Sequence, residues 1–137
     1  MQIGIAEFLE NVSKLKKKDE KINALRFNDS FVVRTILQGA YHPNVKWLLP
    51  EGTPPYTPNN LVDQENVLIR DCRKLDYYID GPYPGLNQLK RETMFVQLLE
   101  NIAPKDAILL CAIKDKKLPW KGLDYDIVKE AFPELIP

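Results

Sequence analysis

The chain has 137 residues, of which 45% are hydrophobic and 28% are charged, a size and composition typical of one globular domain. No stretch approaches the roughly 18 apolar residues that span a membrane, and the opening residues lack a signal-peptide pattern, so we expect a cytoplasmic protein. The 19 Lys and Arg residues balance the 19 Asp and Glu residues, which excludes the binding of polyanions by net charge alone.

The N-terminal residues have the apolar spacing of an amphipathic helix. An apolar stripe on one helical face is formed by Ile5, Phe8, Leu9, Val12 and Leu15. The seven-residue step from Leu15 to Ile22 permits this helix to continue, and a break near Lys18 agrees equally well with the sequence. The sequence therefore predicts either one long helix or two shorter ones.

A second region combines a helix with a long loop. Asn28 and Asp29 are suitable N-caps for the helix. Four prolines then forbid a helix interior and favour extended backbone: Pro50, Pro54, Pro55 and Pro58. We expect N-terminal helices in residues 1–42, a proline-rich loop in residues 43–60 and a helical core in residues 61–137.

Helices are also predicted throughout the last part of the chain. Apolar spacing places two of them at residues 62–79 and 86–102, and a continuous apolar run places a third at residues 107–113; the three form the predicted centre of a bundle. The inward positions of the first are Val62, Leu68, Cys72, Leu75 and Ile79. The third is apolar on every side, and residues 114–117 should end it in solvent. With a short last helix capped by Asp124, the prediction is one all-α domain of five to six helices.

Few residues offer enzymatic chemistry. His42 is the only histidine, so a metal site with two histidine ligands is excluded. Asp76 and Asp80 lie one helical turn apart, but acids near a helix C-terminus are more often solvated than catalytic. Cys72 and Cys111 lie in apolar surroundings, and we expect two reduced core thiols. No phosphate-binding glycine motif is present, so we expect no catalytic residue, no metal and no cofactor.

Several segments are similar to a known group of proteins: residues 5–9 (IAEFL), 47–52 (WLLPEG), 112–123 (AIKDKKLPWKGL) and 128–133 (VKEAFP). They resemble small uncharacterised proteins encoded by T-even-like tailed phages, particularly marine cyanophages. The resemblance implies a phage-encoded product in the cytoplasm of an infected bacterial host. It implies no activity, cofactor or catalytic residue.

The preferred functional interpretation is a non-enzymatic accessory protein that binds a phage or host protein. Trp47 and Tyr56 in the proline-rich loop, together with Tyr83 in a Pro-Tyr-Pro turn, place aromatic side chains on stiff backbone, as protein interfaces prefer. The alternative is that these side chains only hold their own loops against the core. The sequence does not decide between the two.

A second interpretation is a nucleic-acid-binding accessory factor. Lys116, Lys117, Trp120 and Lys121 combine cations with an aromatic ring, and single-stranded nucleic acid is held by phosphate contacts and base stacking. Asp115 dilutes the local positive charge. The competing interpretation is that Trp120 packs over the edge of the core and that the lysines are a solvated helix end.

Overall fold

Seven α-helices and one 3₁₀ helix form the fold in the computed structural model, which describes residues 3–61 and 63–137. The α-helices are α1 (Ile5–Ser13), α2 (Lys18–Phe27), α3 (Phe31–Tyr41), α4 (Val67–Asp71), α5 (Gln88–Asn101), α6 (Pro104–Ile113) and α7 (Tyr125–Ala131). The 3₁₀ helix Cys72–Tyr78 directly follows α4. These residues contain no strand, so the prediction of a mostly helical chain is confirmed, with one helix more than the predicted five to six.

The N-terminal stripe is divided between two helices. After α1 ends at Ser13, the backbone becomes extended at Lys17, and α2 begins at Lys18. The Glu20 carboxylate accepts a hydrogen bond of 3.1 Å from the Lys17 N–H and so satisfies a donor at the new helix start. Of the two alternatives that the sequence left open, the break near Lys18 is the one observed.

The cap of α3 differs from the predicted one. Ser30 is the N-cap, and its hydroxyl accepts a hydrogen bond from the Val33 N–H at 3.3 Å. Asn28 instead donates to the Ala24 carbonyl at 2.8 Å, at the end of α2. Asp29 pairs with Arg34 through two hydrogen bonds of 2.7 and 2.9 Å. The prediction of Asn28 or Asp29 as the cap is therefore wrong, because both side chains have other partners.

The helix predicted over residues 62–79 begins later than expected. Asp63 has a left-handed backbone with φ 59°, which does not belong to a right-handed helix, and α4 starts only at Val67. From Cys72 onward the chain continues as a 3₁₀ helix. The predicted inward position Val62 lies outside the described residues. Of the other inward positions, Leu68, Cys72 and Leu75 are buried, and Ile79 is half-buried.

Helix α6 lies at the centre of the core. Pro104 occupies its first turn, where the missing N–H costs no helical hydrogen bond. The helix packs against α1, α3 and α5, and its residues are buried except near its start and at Ile108, which is 55% exposed. On another side of the molecule α7 packs against α2. For residues 107–113 we expected burial on every side, and this expectation is wrong only at Ile108.

Candidate functional site

The proline-rich residues are attached to α5 by hydrogen bonds near both ends of the helix. Asn87 caps α5, accepting from the Lys90 N–H at 3.2 Å. At the next residue, Gln88 Nε2 donates to the Leu48 carbonyl at 2.8 Å. Near the other end of α5, Glu100 Oε2 accepts a hydrogen bond of 2.8 Å from the Thr57 N–H. Residues 48–57 are therefore fixed alongside the helix.

The C-terminal end of α6 holds the middle of the same segment. Lys114 Nζ donates to the Pro50 carbonyl at 2.9 Å and forms an ion pair of 2.9 Å with Asp115. The other Asp115 oxygen accepts from the Gly52 N–H at 3.1 Å. The Lys114 side chain is only 1% exposed, so the prediction that residues 114–117 end α6 in solvent is wrong at its first position. A buried ammonium requires such partners.

A groove of about 310 Å³ lies between this segment and α5, and we call it the α5 groove. Its apolar lining consists of Leu49, Pro50, Pro54, Pro55, Phe95 and Val96. Leu89 is 76% exposed and lies one turn before Thr93, a lining residue, so it extends the apolar surface along the same helix face. The α5 groove offers apolar surface between walls whose backbone is already fixed.

The rim of the α5 groove is acidic. Glu51 and Glu92 both line it, and in the described part of the chain neither forms an ion pair with a lysine or arginine. The ammonium that also borders the groove, on Lys114, is neutralised by Asp115 at 2.9 Å. The groove therefore combines apolar surface with uncompensated negative charge.

Sequence reasoning missed the α5 wall of this groove. Gln88, Glu92 and Val96 follow one another at four-residue intervals and so lie on one helical face, and Leu89 and Thr93 lie beside them. In the sequence, the available signal was a leucine, Leu89, flanked by polar residues on this helical face. The sequence analysis did not single out Leu89, because a sequence does not show which apolar side chains of a helix stay exposed.

Trp47 holds its own segment against the core. Its Nε1 donates to the Gly39 carbonyl at 2.9 Å, and its half-buried ring packs on the core. Trp47 also forms an isolated antiparallel bridge with Ile79, in which the Leu48 N–H donates to the Tyr78 carbonyl at 2.8 Å. This geometry agrees with the tethering alternative for Trp47.

The other two aromatic candidates lie at separate places. Tyr56 is half-buried against the core and borders a cavity with Ile108 and Cys111, and burial raises the pKa of its hydroxyl. Tyr83 is 44% exposed, and its ring centroid lies 4.4 Å from that of Tyr77. Trp47 borders neither of these places, so the structure does not bring the three predicted partner-binding residues into one surface.

The predicted nucleic-acid residues are partly engaged within the fold. Lys116 Nζ donates to the carbonyls of Gly39, His42 and Val45 at 3.1, 2.7 and 3.1 Å, and burial lowers the pKa of this amine. Trp120 Nε1 donates to Glu10 at 3.3 Å, and its ring packs against the core.

Lys117 and Lys121 are exposed, and so is Lys116, although its ammonium is engaged by the three carbonyls. The four residues therefore form no continuous basic and aromatic surface, because Lys116 and Trp120 face other groups of the chain.

The enzymatic candidates are not assembled into a site. Asp76 and Asp80 are both exposed, and Asp80 lies beyond the end of the 3₁₀ helix. His42 Nδ1 accepts a hydrogen bond from the Asn44 N–H at 3.1 Å. Cys72 and Cys111 are buried free thiols, and burial raises the pKa of each. Within residues 3–61 and 63–137 no group of three or more metal-ligating side chains is close enough to hold a metal ion.

Comparison with known proteins places the chain in a family. A family of unknown function, DUF6433, matches residues 8–119. The chain belongs to the DUF6433 family. No curated protein matches the chain, and no solved structure matches it. The DUF6433 match includes the whole α5 groove and ends before α7. A separate finding is that no helix in the described residues is long and apolar enough to cross a membrane.

Proposed function

We propose that this DUF6433 protein is a phage-encoded, non-enzymatic accessory protein that binds a protein partner through the α5 groove during infection. The carrying observation is the combination, on a fixed backbone, of an apolar groove with two carboxylates that form no ion pair in the described residues, although Glu92 accepts a hydrogen bond of 3.1 Å from Gln88. The resemblance of residues 47–52 and 112–123 to phage proteins supports the phage origin, and with it a location in the cytoplasm of the infected bacterial host.

The lining chemistry defines the partner segment. An apolar side chain of the partner would cover Phe95 and Val96, and a neighbouring lysine or arginine would face Glu51 and Glu92. The fixed walls favour binding because little backbone entropy remains to be lost. The rim charges would mainly set the association rate and its salt dependence, since exposed pairs contribute little to affinity.

Nucleic-acid binding stays the second candidate from the sequence, but no feature of the fold favours it over the α5 groove. Lys116 already donates hydrogen bonds to carbonyl groups at the end of α3, and Trp120 donates to the Glu10 carboxylate. The experiment below includes a nuclease arm that distinguishes the two functions.

The test compares two arginine substitutions on the same helix. Thr93 is exposed and lines the groove, whereas Gln97 is exposed one turn later and does not line it. We expect Thr93→Arg to fill the groove and to repel a cationic segment, reducing partner capture from phage-infected lysate at least about tenfold, a free-energy change of about 1.4 kcal/mol. Gln97→Arg, the matched control, should leave capture unchanged.

Capture is measured by quantitative mass spectrometry after nuclease treatment, and a photo-crosslinking residue at position 93 identifies the bound segment. The proposal requires a crosslinked segment with an apolar residue next to a lysine or arginine. Equal capture by both arginine variants would refute the α5 groove as the site. Loss of all capture on nuclease treatment would instead favour the nucleic-acid function.

A further inference from the structure

A second cavity, of about 360 Å³, lies between the start of α1, the start of α6 and the residues before α4. Three carboxylates line it: Glu7 of α1, Glu65, and Asp106 of α6. The cavity also borders Lys105, whose ammonium is 3.4 Å from the Glu10 carboxylate. It shares no lining residue with the α5 groove, so the two sites can be tested independently.

Asp106, which lines this cavity, has a buried oxygen without a hydrogen-bond partner in the described residues. The residue is 1% exposed, and its Oδ1 accepts a hydrogen bond of 2.9 Å from the Ala6 N–H, in the first turn of α1. Its Oδ2 accepts no hydrogen bond from any of residues 3–61 and 63–137. A buried carboxylate oxygen without a donor is costly, because its hydration has been lost and not replaced.

The backbone of Gly4 approaches this oxygen closely. A Cβ atom at Gly4 would lie 3.2 Å from Asp106 Oδ2 and 3.4 Å from the Glu65 carbonyl oxygen. Both oxygens therefore lie beside the same residue, and a glycine at this position keeps a side chain from crowding them. An ammonium group, which has three donors, is suited to a place where several oxygens are near one another.

The size and composition of the cavity distinguish an organic cation from a metal ion. One water molecule occupies about 30 Å³ in the liquid, so a cavity of about 360 Å³ can hold a molecule of several heavy atoms. The acidic lining attracts a cation. In the described residues no cluster of three or more side chains could hold a metal ion, which disfavours an inorganic one.

We propose that this cavity binds a primary ammonium group on a short aliphatic stem, with Asp106 Oδ2 accepting a hydrogen bond from the ammonium. Glu7 and Glu65 supply further attraction from the other walls of the cavity. The same chemistry occurs in a free aliphatic diamine and in the lysine side chain of another protein. The apolar stem would lie against Ala103 and Pro104.

Amide-resolved NMR titration at pH 7.5 tests this site with two cationic probes, 1,4-diaminobutane and Nα-acetyl-lysine methylamide. We expect saturable shifts at Ala6 and Asp106 with at least one probe. A response to the diamine alone identifies a free amine as the ligand type, and a response to the lysine derivative alone identifies a protein side chain. Uncharged 1,4-butanediol should cause no such shift.

Asp106→Asn keeps an oxygen for the Ala6 N–H and removes the charge, and it should weaken binding at least about tenfold. Asp76→Asn, the same change at an exposed acid outside the cavity, should have no effect. Glu65→Gln should weaken binding by a smaller factor, which keeps the test decisive if Asp106→Asn does not fold.

Three results would overturn the site: no saturable shift up to about 10 mM of either probe, equal affinity in the charge-neutralised variants, or the same shifts with KCl or MgCl₂ as with the amines. The last would mean that an inorganic cation occupies the cavity. None of these results bears on the α5 groove.

Discussion

Asp106 has a carboxyl group whose protonation is coupled to folding. Burial, opposed by the hydrogen bond from Ala6 and helped by repulsion from Glu65 and Glu7, raises the pKa of Asp106 to about 6. Lys105 faces the same cavity but pairs with Glu10. An aspartate in the unfolded chain titrates near 3.9, so the folded protein holds this proton to a higher pH than the unfolded chain does. Its contribution to stability is fully present below about pH 4 and is lost as the pH rises through about 6.

Replacing Asp106 by asparagine should remove the loss of stability that accompanies this rise in pH. We expect the free energy of unfolding of Asp106→Asn, compared with that of the wild type, to rise by about 2 kcal/mol between pH 4 and pH 7.5, since each pKa unit corresponds to about 1.4 kcal/mol. Urea unfolding at both pH values gives the difference. A pH-independent effect of Asp106→Asn would contradict the assignment.

At the level of single elements, Lys116 caps the C-terminal end of α3, although it lies far from that helix in the sequence. Its ammonium donates to the carbonyls of Gly39, His42 and Val45, near the C-terminus of α3, where unpaired carbonyls and the helix dipole favour a cation. These partners lie 71 to 77 residues away along the chain. Lys116 itself adopts a left-handed backbone with φ 63°.

Lys116→Met keeps the aliphatic stem and removes the ammonium. It should lower the free energy of unfolding by about 1–3 kcal/mol, because three carbonyl groups lose a charged donor. Lys117→Met is the matched control, since the Lys117 side chain forms no hydrogen bond or ion pair within the described residues, and it should change stability by less than about 0.5 kcal/mol. Equal effects of the two substitutions would show that the capping contacts contribute nothing.

The elements show where sequence reasoning succeeds and where it fails. The existence of α1, α3 and α5 follows from apolar spacing, and that of α6 from a continuous apolar run, both of which are local properties of the chain. The late start of α4 depends on the backbone at Asp63, which the spacing does not indicate. The roles of Lys114 and Lys116 depend on partners more than 60 residues away, so a charged run that ends a helix was interpreted as solvated. The α5 groove was missed for the same reason, because its two walls come from distant segments.

For the whole molecule, the residues after the DUF6433 match complete the core. Phe132, Leu135 and Ile136 are buried, and the Leu135 carbonyl accepts a hydrogen bond of 3.3 Å from Gln38 of α3. Lys129 donates to the Ile136 carbonyl at 2.7 Å and so folds the last residues back toward α7. The C-terminal residues are therefore part of the packed structure.

Two leucine-to-alanine substitutions measure how much the packing of the C-terminal residues contributes to the stability of the fold. Leu135 is 5% exposed and Leu89 is 76% exposed. We expect Leu135→Ala to lower the free energy of unfolding by about 2–4 kcal/mol, because it leaves a cavity in the core. Leu89→Ala should cost less than about 0.5 kcal/mol. Thermal and urea unfolding give both values, and similar losses for the two variants would contradict the packing described for the C-terminal residues.

The long-range bonds of the N-terminal helices have a consequence for synthesis on the ribosome. Ala6, Lys18 and Arg26 find their hydrogen-bond partners in Asp106, Glu130 and Ala131, 100 to 112 residues later. Contacts so distant in sequence slow folding, because a large loop must close before they form. Helices α1 and α2 must therefore wait, with their apolar faces uncovered, until residues 106–131 have been translated. These long-range bonds form only after those residues have left the ribosome.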